Sequence, residues 1–279
     1  MQNKVFFNGK LILSNQARLE AGSPGTRYGW GVFETLRLSD NKSVLLSKHL
    51  RRLRRSSKVL GIQLKYSSYE ITKTILNLIS INHLKDARIR ICVWKNKIGA
   101  DFYIEANSYQ PIINKKYKEG IGLILSPQII PSFSMLTEHK TANYLFHQLV
   151  YNWAKNRGFD DALIINEKGD LVEVTRGNIF FISKHRLYTP KLSCGCLPGV
   201  TREAVINLAK KIGIKVEEGN FSVKELFAAQ EIFFTNSLIG IMPVKKIKGS
   251  KIVQIRTVFN LTVTERLQKV YLKLWKKVS

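Results

Sequence analysis

Lys140 lies in the run Thr137-Glu138-His139-Lys140-Thr141-Ala142-Asn143-Tyr144. Downstream come Glu173-Val174-Thr175-Arg176-Gly177-Asn178-Ile179-Phe180 and then Leu197-Pro198-Gly199-Val200-Thr201-Arg202. In that order the chain offers an amine that can form a Schiff base with an aldehyde and a carboxylate that can pair with a ring nitrogen. It also offers a glycine-containing turn that opens a helix and can hold a phosphate. A lone lysine in a chain with 45 lysines and arginines carries no such message; the ordered combination does.

These residues need elements to position them. Val5 to Ile12 reads as a hairpin turning at Asn8-Gly9. Gly31 to Leu38, Ala87 to Trp94 and Asp101 to Ala106 alternate apolar and polar residues and are expected as strands. Ser47 is expected to cap a helix through Lys58 that buries Leu50 and Leu53, with Lys48, Arg51, Arg52, Arg54 and Arg55 on its other face. Ser67-Ser68-Tyr69-Glu70 forms a capping box before the helical run Ile71, Ile75, Leu78 and Ile79.

In the second half, Ile121 to Leu125 is expected as a strand, and Thr141 to Arg157 as a helix stopped by Gly158. Short strands are expected over 162–165, 171–174, 178–182 and 231–234. Helices are expected from Gly199 to about Lys211, after a Ser222 cap, and from Thr257 onward. Helices and strands cluster rather than alternate strictly, so the expected class is α+β with mostly antiparallel or mixed sheets. A small N-terminal α/β domain is expected over 1–110 and a large C-terminal domain over 121–279. The polar, lysine-rich stretch 111–120 is the expected linker.

Composition narrows the possibilities. The net charge of +25 could serve nucleic acid, an anionic surface or anionic small substrates. The positive residues are spread along the chain rather than gathered on one reading element, so no nucleic acid is expected as partner, and an anionic small molecule is. No apolar run reaches membrane-spanning length, and the first ten residues lack the apolar core of a signal peptide; a cytoplasmic protein with no membrane partner is expected. The three cysteines are Cys92, Cys194 and Cys196. Cys194-Gly195-Cys196 has no second Cys or His pair at ligand spacing, so no metal is expected.

The motifs in their order resemble those of fold-type IV pyridoxal-phosphate enzymes, the class IV aminotransferases. The matching segments are Tyr28 to Arg37, His49 with Arg52-Leu53, Lys140 with Asn143, Glu173 with Asn178, Leu197 to Arg202, and Thr235-Asn236-Ser237 with Pro243-Val244. They cover nearly the whole chain. The resemblance implies a two-domain, D-amino-acid aminotransferase-like fold, a C-terminal domain that binds pyridoxal 5′-phosphate, and a homodimer. It implies Lys140 as the Schiff-base lysine and Glu173, with Asn178 beside it, as partner of the pyridine nitrogen. It implies Val200, Thr201, Ser237 and Arg52 as phosphate ligands. Tyr144 corresponds to a tyrosine that hydrogen-bonds the cofactor's ring oxygen; a core tyrosine on the inner face of a helix is the alternative.

Within the family two activities compete. Thr35 and Asn236 look like the 4-amino-4-deoxychorismate lyases, where Thr35 would help deliver a proton to the departing enolpyruvate. The expected activity is therefore conversion of aminodeoxychorismate to 4-aminobenzoate and pyruvate, a step of folate biosynthesis. The alternative is a transaminase acting on branched-chain or D-amino acids with 2-oxo acids. Arg88 and Arg90, on one strand face, and Lys95 and Asn236 are the expected substrate-binding residues. Trp30 departs from the family, where Asp or a small residue is usual, and Lys95 stands where the lyases carry arginine.

Overall fold

The computed structural model describes residues 3–39, 42, 45–112, 114–249, 252–254 and 262–276. It divides into two compact units.

The first unit spans 1–110 with His139–Tyr144. Strands β1 (Lys4–Phe7) and β2 (Lys10–Leu13) form the hairpin, with Asn8 and Gly9 at φ 46° and 91°. That pair of positive values is what a two-residue turn between twisted strands requires. Then come helix α1 (Pro24–Tyr28), β3 (Gly31–Ser39), helices α2 (Leu46–Val59) and α3 (Ser68–Ile81), and β4 (Asp86–Lys95) and β5 (Ala100–Ser108). The strands make an antiparallel sheet in the order β2-β1-β5-β4-β3.

Alternation sorts its two faces. Val32, Leu36, Ile89, Ile91, Val93, Phe102 and Ile104 pack with Leu50 and Leu53 of α2 and Ile71, Ile75 and Leu78 of α3. The other face carries three registered rows: Phe33, Cys92 and Tyr103; Thr35, Arg90 and Glu105; Arg37, Arg88 and Asn107. The capping box of α3 is formed, with Glu70 accepting from the Ser67 N–H at 2.7 Å. The Ser47 cap is not: α2 begins earlier, and the Leu45 carbonyl already accepts from Lys48 and His49, so Ser47 lies inside the first turn.

The second unit spans 111–138 and 145–276. Its elements are α4 (Asn114–Glu119), β6 (Ile121–Leu125), α5 (Leu145–Lys155), β7 (Asp161–Ile165), β8 (Leu171–Val174), β9 (Asn178–Ser183), β10 (Arg186–Pro190), α6 (Val200–Lys211), β11 (Val216–Gly219), α7 (Val223–Phe227), β12 (Glu231–Asn236), β13 (Gly240–Lys248), β14 (Ile252–Gln254) and α8 (Val263–Lys276). The described strands form one mixed sheet in the order β11-β10-β9-β12-β13-β6-β7-β8, with β14 on β13. One face holds Ile179, Phe181, Ile232, Phe234 and Met242, and α5 covers Ala162 and Ile164 of β7 through Val150 and Ala154. Glu231 caps α8, its two oxygens accepting from the Val263 and Thr264 N–H groups. The expected start of that helix, from Thr257, lies outside the described residues up to 261.

Two boundaries differ from the expectation. Segment 111–120 is not a bare linker: it contains α4, and Ile112 and Tyr117 pack on the apolar core of the second unit, with the Tyr117 hydroxyl donating to the Ile239 carbonyl. The helix expected from Thr141 begins only at Leu145. Residues 140–142 are extended instead, because the Phe33 N–H donates to the Lys140 carbonyl at 2.9 Å and the Ala142 N–H to the Gly31 carbonyl at 2.8 Å. Edge pairing with β3 outweighs local helix propensity there.

Asp161, at the start of β7, is buried and pins the turn after β8: its Oδ1 accepts from Ala162 N–H at 2.7 Å and from both the N–H and the hydroxyl of Thr175. Burial outweighs those donors and pushes its carboxyl up to about 6. A carboxyl raised by folding contributes stability that is complete below its unfolded value, near pH 4, and lost as pH rises through about 6. Asp161→Asn keeps an acceptor oxygen and is expected to be ~1–3 kcal/mol more stable than the natural chain at about pH 8, with the gap closing near pH 4. Urea unfolding at the two pH values checks this; an unchanging gap would mean that the carboxyl stays ionised throughout.

Candidate active site

In the first unit the sequence-predicted residues converge on Phe33. Lys140 is held on the extended edge beside β3, and its Nζ lies 4.5 Å from the centre of the Phe33 ring and 5.1 Å from that of Tyr144. The two rings meet edge to face at 5.4 Å. The Arg90 guanidinium stands 4.1 Å from the centre of the same Phe33 ring. Thr35 is two residues along β3 on that face, directly opposite Arg90, and Arg88 is one row further. Two anchors hold the Lys140 segment. His139 Nδ1 lies 3.0 Å from the Ser56 hydroxyl of α2. Asn143 Oδ1 would stand 2.5 Å from a Cβ at position 29, where Gly29 also has φ 61°, so only glycine fits. Tyr144 precedes α5 rather than lying on its inner face.

In the second unit, Glu173 of β8 is 7% exposed and accepts three hydrogen bonds. The Leu197 N–H and the Asn178 amide reach Oε2 at 3.2 and 3.4 Å, and His147 Nε2 lies 3.4 Å from Oε1. Asn178 also donates to the Leu197 carbonyl at 2.8 Å, which ties β9 to the loop before α6. That helix starts after Gly199 with no side chain capping its N–H groups. A Cβ on Gly199 would fall 2.0 Å from Asn178 Oδ1, so the close approach of loop and strand requires glycine. Thr201 is buried in the first turn. Thr235, paired with Asn178 across β12 and β9, is 1% exposed, and among the described residues its hydroxyl has no hydrogen-bond partner. Uncapped helix N–H groups, a buried spare hydroxyl and the nearby turn residue Ser237 form a donor set suited to a phosphate dianion. These residues therefore fit a phosphorylated cofactor with a protonated ring nitrogen.

Three predicted residues are engaged elsewhere. Arg52 gives Nε and Nη2 to the two oxygens of Glu34, both at 2.7 Å, inside the buried face of the first unit. Lys95 points to the helix-covered side: Nζ donates to the Gly61 carbonyl at 3.0 Å, while Trp30 Nε1 donates to the Leu60 carbonyl. Both close the end of α2, so Lys95 does not share the face of Arg90. Asn236 bonds two turns: Nδ2 donates to the Arg176 carbonyl between β8 and β9, and Oδ1 accepts from the Leu238 and Ile239 N–H groups after β12. It shapes the loop that carries Ser237. Arg202 Nη2 donates to the Pro190 carbonyl and to Glu218.

Sequence reasoning missed His147, Thr235 as a spare hydroxyl, and the Glu105–Tyr103 pair beside Arg90, where the phenol donates to the carboxylate at 3.0 Å. Strand alternation could have flagged Tyr103 and Glu105. Nothing in the local sequence marks His147. The cysteines are buried, and burial pushes the Cys92 and Cys196 thiols up to about 11 and 12, so they stay protonated. No helix among the described residues is long and apolar enough to cross a membrane.

Residues 31–247 match the family model for amino-transferase class IV. The aminodeoxychorismate lyase of Bacillus subtilis is 29% identical over 257 residues, covering 88% of this chain and 86% of that one. The crystal structure of Escherichia coli branched-chain amino acid aminotransferase superposes with a TM-score of 0.90 at 26% identity, covering 99% and 95% of the two chains. The T.th. branched-chain amino acid aminotransferase complexed with N-(5′-phosphopyridoxyl)-L-glutamate gives 0.89 at 25% identity, covering 100% and 96%.

Proposed function

The chain belongs to the amino-transferase class IV family, and from that premise we propose a pyridoxal-phosphate transaminase that moves the amino group of a branched-chain or related amino acid to a 2-oxo acid. The observation that carries this over the lyase is the near-complete match, in chain coverage and fold, to branched-chain aminotransferases. One of the two lyase-like features also loses its weight: Asn236 is explained by turn geometry.

Bound pyridoxal phosphate supplies an aldehyde that takes up amines and a ring that accepts electrons from the substrate carbon. The chain's own residues do the rest. Lys140 would hold the cofactor through its amine and, once that amine is free, would move the proton at the substrate's α-carbon. Phe33 and Tyr144 shield that amine from water. Glu173 would pair with the ring nitrogen and hold its proton there. The start of α6, with Thr201, Thr235 and Ser237, binds the phosphate. Arg90, with Arg88 behind it, offers the substrate a carboxylate partner. The homodimer implied by the family is part of this proposal; light scattering giving twice the chain mass checks it.

A second reading keeps one specific support. Thr35 shares the face of Phe33 and Arg90, where a hydroxyl could relay a proton to a departing enolpyruvate. One experiment separates the two. Loaded protein is given L-leucine or L-valine with 2-oxoglutarate, and separately aminodeoxychorismate with no acceptor. Glutamate from the first and no pyruvate from the second is expected. Thr35→Val should then slow glutamate formation less than about tenfold. Pyruvate and 4-aminobenzoate without an acceptor, slowed roughly 10²–10⁴-fold by Thr35→Val, would make the chain a lyase.

A further inference from the structure

Glu173 lies opposite Ile164 across β7 and β8, so its side chain projects from the sheet face that α5 covers. Its donors differ in origin. The Leu197 N–H and the Asn178 amide both reach Oε2, and both belong to the loop and strand that shape the start of α6. His147 comes from another element, the first turn of α5, and its Nε2 meets the other oxygen, Oε1. The Phe146 ring stands edge-on to the imidazole at 5.5 Å and 85°, which limits how far it can turn. A carboxylate tied through one oxygen rotates about its last bond; donors on both oxygens define its plane. The side chains of His147 and Glu173 are 18% and 10% exposed, so water competes weakly for either oxygen. The other titratable neighbour, Cys196, is neutral because burial raises its thiol to about 12.

We propose that His147 is a positioning residue for Glu173: through Nε2 it fixes the plane in which the carboxylate presents itself to the cofactor's ring nitrogen. This rests on the assignment of Glu173 above. It predicts that donor chemistry, not volume, matters at position 147. His147→Gln keeps an N–H donor at similar reach, whereas His147→Leu fills the space without one.

The test titrates each apoprotein with pyridoxal phosphate, reading affinity and the position of the visible band, and then splits turnover into kcat and KM. His147→Leu should lose roughly tenfold in kcat or in cofactor affinity, with KM changed less than about threefold and the visible band shifted; His147→Gln should stay within about threefold of the natural protein in all of these. Equal losses in both variants, or none in either, overturn the positioning role. If His147→Leu does not fold, His147→Ala is read against His147→Gln by the same criteria. A natural protein that shows no visible band on loading defeats the cofactor reading itself, and the inference with it. A normal band with unaltered variants defeats the inference alone.

Discussion

Lys140→Ala is expected to abolish turnover, by at least about 10⁴-fold, while leaving the fold intact. Two functions are lost together: the covalent hold on the cofactor and the proton transfer at the substrate carbon, the latter alone accounting for roughly 10²–10⁴-fold. The fold should tolerate the change. Lys140 contributes its backbone carbonyl to β3, which alanine retains, and its side-chain cation–ring contacts to Phe33 and Tyr144 are of about 0.5–2 kcal/mol. Borohydride reduction of the loaded natural protein followed by peptide mass analysis should place the cofactor on Lys140, and the variant should carry none. The many other lysines make this a demanding test. An adduct on a different lysine, or a variant retaining more than about a hundredth of the activity, would remove Lys140 from its role.

What the sequence revealed about this molecule was mostly local. The Asn8-Gly9 turn, the Ser67–Glu70 and Ser222–Glu225 caps and the alternating strands each need only neighbours within a few residues, and all are present. Segment 140–142 was misread because Thr141 to Tyr144 contains no helix breaker; its true partner is β3, more than a hundred residues earlier. Strand β11 escaped notice for a similar reason, since it pairs with β10 in parallel only after α6 has carried the chain back.

For site residues the division is between type and partner. Lys140, Glu173 and the Gly199 turn stand out as candidates because their chemistry is specific and their order unusual. The partners of long side chains were not. Lys95 bonds the Gly61 carbonyl and His147 reaches Glu173, and neither partner lies close enough in sequence to be inferred. Asn236 shows the converse. Its residue type suggested substrate recognition, yet its carbonyl oxygen accepts from two N–H groups of the turn that follows, a common use of asparagine at such a place.

Arg52→Ala is expected to destabilise the protein by about 3–5 kcal/mol, a larger effect than the loss of a phosphate ligand would produce. Glu34 is fully buried under α2, with Arg52 on both oxygens and His49 Nδ1 at 2.8 Å from Oε2. Burial alone would push its carboxyl up; the Arg52 guanidinium and His49 overcome this and hold it at about 2. A depressed carboxyl contributes stability that is present above its unfolded value, near pH 4.5, and lost as pH falls through about 2, here ~3 kcal/mol. Without Arg52 burial prevails, the buried carboxyl prefers to be neutral, and that acid-side loss disappears. The gap between natural protein and variant should therefore be widest near neutral pH and narrow below about pH 4, as urea unfolding can measure. A double replacement, Glu34→Leu with Arg52→Met, should recover most of the loss, because a well-packed apolar pair can substitute for a buried ion pair. If Arg52→Ala leaves stability unchanged and weakens only cofactor binding, Arg52 is the phosphate ligand that the family motif suggests, and its bond to Glu34 is incidental.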